Sequence, residues 1–231
     1  MGKKTRLFWA LLLAAGLIFL NIACAHGADY SAWGSMEYFG GPGHESYDPL
    51  TMMWWLLIFT PVWALGGAWL DMERQSLGLR ALRYRSVFAW WRPLILGLYG
   101  MNVCYFIIFG CLLKLWDLWD GQTMMAVFSM AFHSLFMTGI MTVIFLTLKN
   151  AVVSFIVPVL CEAVSTIILS LGMPPALLPL VWGMYRYSHD IFGDKGFSIA
   201  AVFEVTLVFA AALLLFPLIK RFRRLALRLL V

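Results

Sequence analysis

Six long apolar runs alternate with polar connections along the chain. They cover residues 7–25, 51–70, 94–116, 122–148, 151–171 and 199–219. Each run is nearly free of charged side chains, and as a helix each is long enough to cross a hydrocarbon core of about 30 Å. The pattern predicts an all-α, polytopic membrane protein, in which residues 1–231 form a single domain of six transmembrane helices.

The composition agrees with this interpretation. Hydrophobic residues make up 62% of the chain, charged residues make up 13%, and the mean hydropathy is +0.85. A soluble domain of this length would need more polar surface than these residues supply. The formal net charge of +5 therefore gives no reason to expect a nucleic-acid partner. The placement of the basic residues matters more than their number, because membrane proteins retain Lys and Arg in their cytoplasmic loops.

The basic residues predict how the six helices are oriented. Lys and Arg are retained in the cytoplasmic loops of membrane proteins. If the basic N-terminus lies inside, then the connector 71–93, the turn 149–150 and the tail 220–228 lie inside as well. We therefore expect a multi-pass protein of a bacterial cytoplasmic membrane, with both termini in the cytoplasm. The exceptions are Lys114, Arg186 and Lys195.

The first apolar run has a second interpretation. Residues 1–25 begin with basic side chains, continue with an apolar stretch and end in Ala23-Cys24-Ala25. This is the arrangement of a cleaved signal peptide, and its removal would leave five spans and an external N-terminus. The length of the apolar run favours an uncleaved helix, but the sequence leaves both interpretations open.

The connector between the second and third runs is unusually basic. Residues 71–93 contain five arginines, and their apolar residues recur at three- and four-residue steps. This spacing predicts an amphipathic helix that lies along the inner face of the membrane. Such a helix could serve only to orient the protein and bind anionic lipid. Alternatively, it could be the docking surface of a cytoplasmic partner.

The connector sequence DMERQSLGLRALRYRSVFAWW resembles the cytoplasmic segment that follows the second span in type-2 ABC exporter permeases. The resemblance is closest to permeases of lantibiotic and bacteriocin export or self-immunity systems. The matching residues are Glu73, Leu77, Gly78, Arg83, Tyr84, Arg85, Ser86, Trp90 and Trp91. The six runs fit the same family, as does the long segment 172–198. In such permeases the corresponding segment forms short outer helices that dip into the membrane before the sixth span.

This resemblance implies a transport subunit, not an enzyme, that exports a peptide or another amphipathic molecule. ATP and Mg²⁺ would be bound by a separate cytoplasmic ATP-binding subunit, because the chain contains no G-x-x-x-x-G-K-[ST] loop. A second copy of the chain, or a related permease, would complete the pathway. The residues expected to couple the chain to the ATPase are Glu73, Arg74, Leu77, Gly78, Arg80, Arg83, Tyr84, Arg85 and Ser86.

Two ionisable residues are predicted to meet inside the membrane. His133 and Glu162 each lie about eleven residues from opposite ends of consecutive spans, so both should reach the same depth. Their contact could be a polar clasp between helices. It could instead line a translocation path, to which Ser165 and Thr166 would add hydroxyls. Glu204 is expected nearer the outer face.

Other functional classes are less well supported by the residues. The chain lacks GxSG and HExxH motifs, and its cysteines lack the spacing of a metal site, so we expect neither catalytic residues nor a metal. A six-span substrate-binding component of a vitamin uptake complex is one alternative, although the long basic connector favours the exporter. A non-transporting immunity or assembly factor is another.

Overall fold

The computed structural model describes residues 6, 10, 13–17, 49–81, 87–115 and 121–216. Within these ranges the regular structure is helical, apart from one isolated backbone bridge between Ser188 and Phe197. The α-helices from residue 49 onward are α1 (Pro49–Ala81), α2 (Val87–Leu115), α3 (Gly121–Leu148), α4 (Ala151–Ser170), α5 (His189–Phe192) and α6 (Ile199–Leu215).

Four of these helices are long and apolar enough to cross a membrane. Their apolar stretches are Trp55–Gln75, Phe88–Leu115, Thr123–Leu148 and Ala151–Ser170. They correspond to the second to fifth predicted spans, so the prediction of an all-α, membrane-embedded protein is confirmed for this part of the chain. The sixth predicted span contains α6, an apolar helix of 17 residues. Most of the first predicted span lies outside the described residues, and the total of six therefore stays a prediction.

The central helix of the bundle is α3, which packs against α1, α2, α4 and α6. The five longer helices, α1 to α4 and α6, alternate in direction. As a result, the C-terminal ends of α1, α3 and α6 lie together with the N-terminal ends of α2 and α4. We call this the basic end of the bundle. Large aromatic side chains fill the interior between the helices, among them the fully buried Trp55, Phe59, Trp63 and Tyr105.

A two-residue turn joins α3 to α4 at the basic end. Lys149 adopts a left-handed backbone with φ of 54°, and the Asn150 side chain caps α4 by accepting from the backbone N–H groups of Val152 and Val153. The Arg74 guanidinium of α1 donates to the Lys149 carbonyl and lies 3.7 Å from the Asp71 carboxylate. The end of α1 is thereby tied to the α3–α4 turn.

The structure corrects the prediction of a separate amphipathic helix over residues 71–93. Residues 71–81 continue α1 without interruption, and α2 already begins at Val87. Periodicity shows which face of a helix is apolar, but it does not show where a membrane-spanning helix ends. Leu77, Gly78 and Arg80 belong to the last turns of α1. The four expected coupling residues Arg83, Tyr84, Arg85 and Ser86 lie outside the described residues.

The segment between α4 and α6, which we call the capping segment (residues 171–198), consists of short helices. They are α5 and the 3₁₀-helices Pro175–Leu177, Pro179–Val181, Tyr185–Tyr187 and Gly193–Lys195. The first two of these 3₁₀-helices begin with a proline, which fits the first turn but cannot continue a helix from the preceding residues. Short helices thus precede α6, as predicted, whereas the sixth span itself and the side of the membrane on which these helices lie stay predictions.

The close approach of α3 and α6 generates a test of the fold. A Cβ atom on Gly139 would lie 2.5 Å from the Phe209 ring and 3.0 Å from Leu213, whereas none of the described heavy atoms lies within 4 Å of a Cβ on Gly100. Gly139→Leu should destabilise the protein by about 1–3 kcal/mol through overpacking. The midpoint of thermal unfolding in detergent measures this loss. Gly100→Leu is the matched control, and an equal loss in both variants would contradict the packing described.

Candidate functional site

Three helices bring polar side chains together in the middle of the bundle. The Trp55 indole of α1 donates from Nε1 to Glu162 Oε1 of α4 at 2.6 Å. The same carboxylate oxygen lies 3.3 Å from His133 Nε2 of α3. The His133 and Glu162 side chains are both 0% exposed. We call this group, Trp55, His133 and Glu162, the central triad.

The depth of the central triad follows from its positions along the helices. His133 lies twelve residues from Gly121 and Glu162 lies eleven residues from Ala151. At a rise of about 1.5 Å per residue, both are about 17 Å from opposite ends of antiparallel helices. The turn at Lys149 and Asn150 sets their register. The predicted proximity of His133 and Glu162 is therefore observed, while their role as a clasp or as part of a path stays a prediction.

Aromatic rings surround the central triad on the α1 side. The Phe59 ring lies edge-to-face against Trp55 at 5.0 Å and against His133 at 5.6 Å, and it stacks on Trp63 at 5.0 Å. Residues four apart lie on one helix face, so Trp55, Phe59 and Trp63 form one aromatic stripe of α1. The His133 imidazole and the Glu162 carboxylate consequently have an apolar, aromatic environment on the α1 side.

The central triad leaves hydrogen-bonding capacity unused. Glu162 Oε2 and both ring nitrogens of His133 make no hydrogen bond within the described part of the chain. Buried polar groups are nearly always satisfied, and an ionisable pair inside a membrane bundle is costly to keep. The pair is therefore a candidate functional site, and a polar clasp between α3 and α4 is the alternative.

The capping segment reaches the central triad from the end opposite the basic end. A Cβ atom on Gly183 would lie 2.5 Å from His133 Cγ, so the glycine backbone packs directly on the imidazole. Nearby, Ser129 donates to the Trp182 carbonyl at 2.9 Å. Because His133 lies about 18 Å along α3 from Gly121, the capping segment penetrates well into the bundle. Non-helical backbone at such depth is tolerated where protein surrounds it.

The tyrosines on the buried side of the capping segment are held in their neutral form. Burial raises the pKa of Tyr187 to about 12, against a smaller lowering by Arg186. Burial also raises the pKa of Tyr185, and the neighbouring Asp190 carboxylate adds to the shift. Neither phenol ionises at physiological pH, so neither adds charge to the face that the segment turns toward the bundle.

A second polar network lies next to the central triad, and sequence analysis did not predict it. Trp63 donates to Ser134 at 3.1 Å, Ser134 donates to Asn102 at 2.6 Å, and Asn102 donates to Thr138 at 3.1 Å. These three hydrogen bonds join α1, α3 and α2. A lone asparagine in an otherwise apolar run is the signal that could have identified it, since a buried amide needs a partner on another helix.

The other predicted path residues have different positions. Ser165 donates to the Cys161 carbonyl at 2.8 Å within its own helix, and the Thr166 hydroxyl bonds to backbone carbonyls and approaches Met52 Sδ to 3.5 Å. Both side chains face the interior of the bundle, one turn of α4 from Glu162. Glu204 is exposed on α6 and does not join the central triad.

Two of the predicted coupling residues lie in a crevice at the basic end. Glu73 and Arg74 of α1 line it together with Trp90 and Trp91 of α2. The Trp91 indole donates to the Leu213 carbonyl of α6 at 2.6 Å, and its ring stacks on Phe216. The ends of α1, α2 and α6 are therefore joined where the basic connector begins.

Comparison with protein-family models, curated proteins and solved structures finds no match to this chain. Within the described ranges, no group of three or more His, Cys, Asp or Glu side chains could hold a metal ion. The described helices thus form a membrane-embedded bundle with a buried polar centre.

The bond between Trp55 and Glu162 can be measured by a double-mutant cycle. Trp55→Phe removes the donor and leaves a buried carboxylate oxygen unpaired, which should cost about 1–3 kcal/mol of stability. In a Glu162→Leu background the same substitution should cost much less. Thermal unfolding in detergent measures all four proteins. Trp69→Phe is the control, since that indole donates to none of the described residues, and additive losses in the cycle would contradict the bond.

The seating of the capping segment on His133 can be tested by cysteine labelling. Met184 is fully buried, so Met184→Cys in a background without native cysteines should not react with a maleimide. Adding Gly183→Leu should displace the segment from the imidazole and expose this thiol. Leu177→Cys, at a position 68% exposed, should react in both backgrounds. Protection of the Met184→Cys thiol in the Gly183→Leu variant would contradict the contact.

Proposed function

We propose that the chain is the membrane-spanning permease subunit of an ABC transporter that exports a peptide or another amphipathic molecule. ATP and Mg²⁺ bind to a separate cytoplasmic subunit, which docks on the basic connector. The observation that carries this proposal is the continuity of α1, which contributes Trp55 to the central triad and Glu73 and Arg74 to the basic end.

The first step of the mechanism is a movement of α1. Twenty-six residues separate Trp55 from Ala81, which is about 39 Å of helix. Because the helix is continuous, a displacement of its basic end changes the position of Trp55 relative to Glu162. Pro61 removes one backbone hydrogen bond within this stretch, but α1 stays helical through it and transmits the displacement.

The second step is a movement of α6 and the capping segment. Trp91 joins the start of α2 to Leu213 near the end of α6, and Ser198, the last residue of the capping segment, caps the other end of α6. A force at the connector therefore reaches Gly183 and its contact with His133. In this mechanism, withdrawal of Gly183 opens the bundle at the depth of the central triad.

The third step is passage of the substrate. Once exposed, His133 and Glu162 offer it a polar contact in aromatic surroundings, with Ser165 and Thr166 one turn away. This combination suits an amphipathic molecule, because aromatic rings bind its apolar part while the ionisable pair orients its polar part. A second copy of the chain, or a related permease, completes the path.

The proposal includes the finer topology. The chain crosses a bacterial cytoplasmic membrane six times with both termini in the cytoplasm. Arg74, Lys149 and Arg92, which lie at the same end of the described bundle, agree with a cytoplasmic basic end. The basic residues at the start of the chain and in the tail 220–228 have the same sidedness in this topology.

Co-purification with the ATP-binding subunit tests the proposal. The tagged chain is extracted from its native membrane in mild detergent, and bound proteins are identified by mass spectrometry. Arg83→Glu combined with Arg85→Glu should abolish capture of the ATPase, because both charges oppose docking at the connector. The control, Lys114→Glu with Lys195→Glu, makes the same change of charge away from the basic end and should leave capture unchanged. Capture that survives reversal at the connector, or capture of no ATPase by the unaltered chain, would refute the proposal.

A further inference from the structure

A deep apolar groove lies between α2 and α3 on the side of the bundle. Its volume is about 400 Å³, within the range of about 300–1,000 Å³ typical of ligand sites. Val103 and Ile107 of α2 form one wall, and Phe128 and Leu135 of α3 form the other. Among the described residues that line the groove, Lys114 is the one with a charged side chain.

The length of the groove along the helices is about the thickness of one membrane leaflet. Eleven residues of α2 separate Val103 from Lys114, which corresponds to about 16 Å along the helix. This is roughly half of a hydrocarbon core about 30 Å thick. Lys114 belongs to the last turn of α2 and is exposed, so its ammonium lies at the level where lipid headgroups begin.

The lining of the groove suits an extended hydrocarbon chain. Apart from Lys114, the side chains that line it in the described part of the protein are apolar. Apolar walls offer such a chain dispersion contacts and shelter from water.

We propose that this groove binds a glycerophospholipid, with one acyl chain lying between α2 and α3 and the headgroup phosphate on the Lys114 ammonium. Apolar walls with a cation at one end match the chemistry of such a lipid from its chain to its phosphate. Lys114 is exposed and makes no ion pair with any residue of the described ranges. This site is separate from the central triad, and its existence does not depend on the transport function.

Photo-crosslinking tests the proposal. The full-length chain is reconstituted in phosphatidylglycerol vesicles that contain a trace of the same lipid with a diazirine on its acyl chain, and adducts are mapped by peptide mass spectrometry. Adducts should concentrate on Ile107 and Phe128. Val164 is the reference for ordinary lipid contact, since it is a comparably exposed apolar residue on the outer face of α4.

Matched variants separate the two parts of the site. Lys114→Glu should lower groove adducts by at least about fivefold, since the loss of one favourable charge at the membrane surface alone has that effect, and Lys114→Arg should retain them. Ala131→Leu, which narrows the groove without changing charge, should also lower them. A diazirine diacylglycerol, which lacks the phosphate, should label the groove weakly and respond to neither Lys114 variant.

Three results would overturn the proposal. The first is equal labelling of the groove and Val164, which would mean ordinary lipid contact. The second is labelling that Lys114→Glu leaves unchanged while the variant keeps its thermal stability. The third is a disulfide between Cys111 residues of two chains, since Cys111 lines the groove and such a crosslink would show that a second copy covers it. Lys114→Gln replaces Lys114→Glu if the latter does not fold.

Discussion

The Glu162 carboxylate is the contact on which the arrangement of the bundle depends. It accepts from Trp55 of α1 and faces His133 of α3, so one side chain of α4 determines how three helices are rotated toward one another. Removing a carboxylate from water costs several kcal/mol unless partners compensate, and each helix is therefore confined to the rotation that supplies its partner. The position of His133 in turn provides the surface on which Gly183 and the capping segment rest.

The central triad and the basic end are connected through the same helices. A single helix, α1, contributes side chains to both, and the aromatic contact between Trp91 and the end of α6 joins the remaining helices to the same point. Close-packed interiors transmit displacement because they contain few voids to absorb it. In the proposed transporter, the site that receives force and the site that contacts substrate are therefore parts of the same rigid elements, separated along the membrane normal.

The sequence predicted the helices better than their rotations. Continuous helices follow from the need to satisfy every backbone group within lipid, and the depth of His133 and Glu162 follows from counting residues on either side of a short turn. Trp55 and Asn102 were missed because runs that are apolar all round do not show which face meets a neighbour.

The separate helix over 71–93 was a wrong prediction, since the Arg74–Asp71 pair and the bond from Gln75 to Asp71 favour continuation of α1. Gly183 contacts His133 in a segment that prolines divide into short helices. Hydrophobic periodicity does not predict the backbone path of such a segment.

The two-residue turn at Lys149 and Asn150 also determines how the protein enters its membrane. With so short a link, we expect α3 and α4 to partition into the membrane together as a hairpin. The acidic side chain of α4 then arrives beside the imidazole of α3 and does not face acyl chains alone, which lowers the barrier to insertion during synthesis. Lengthening this turn would thus impair biogenesis even if the finished bundle tolerated the extra residues.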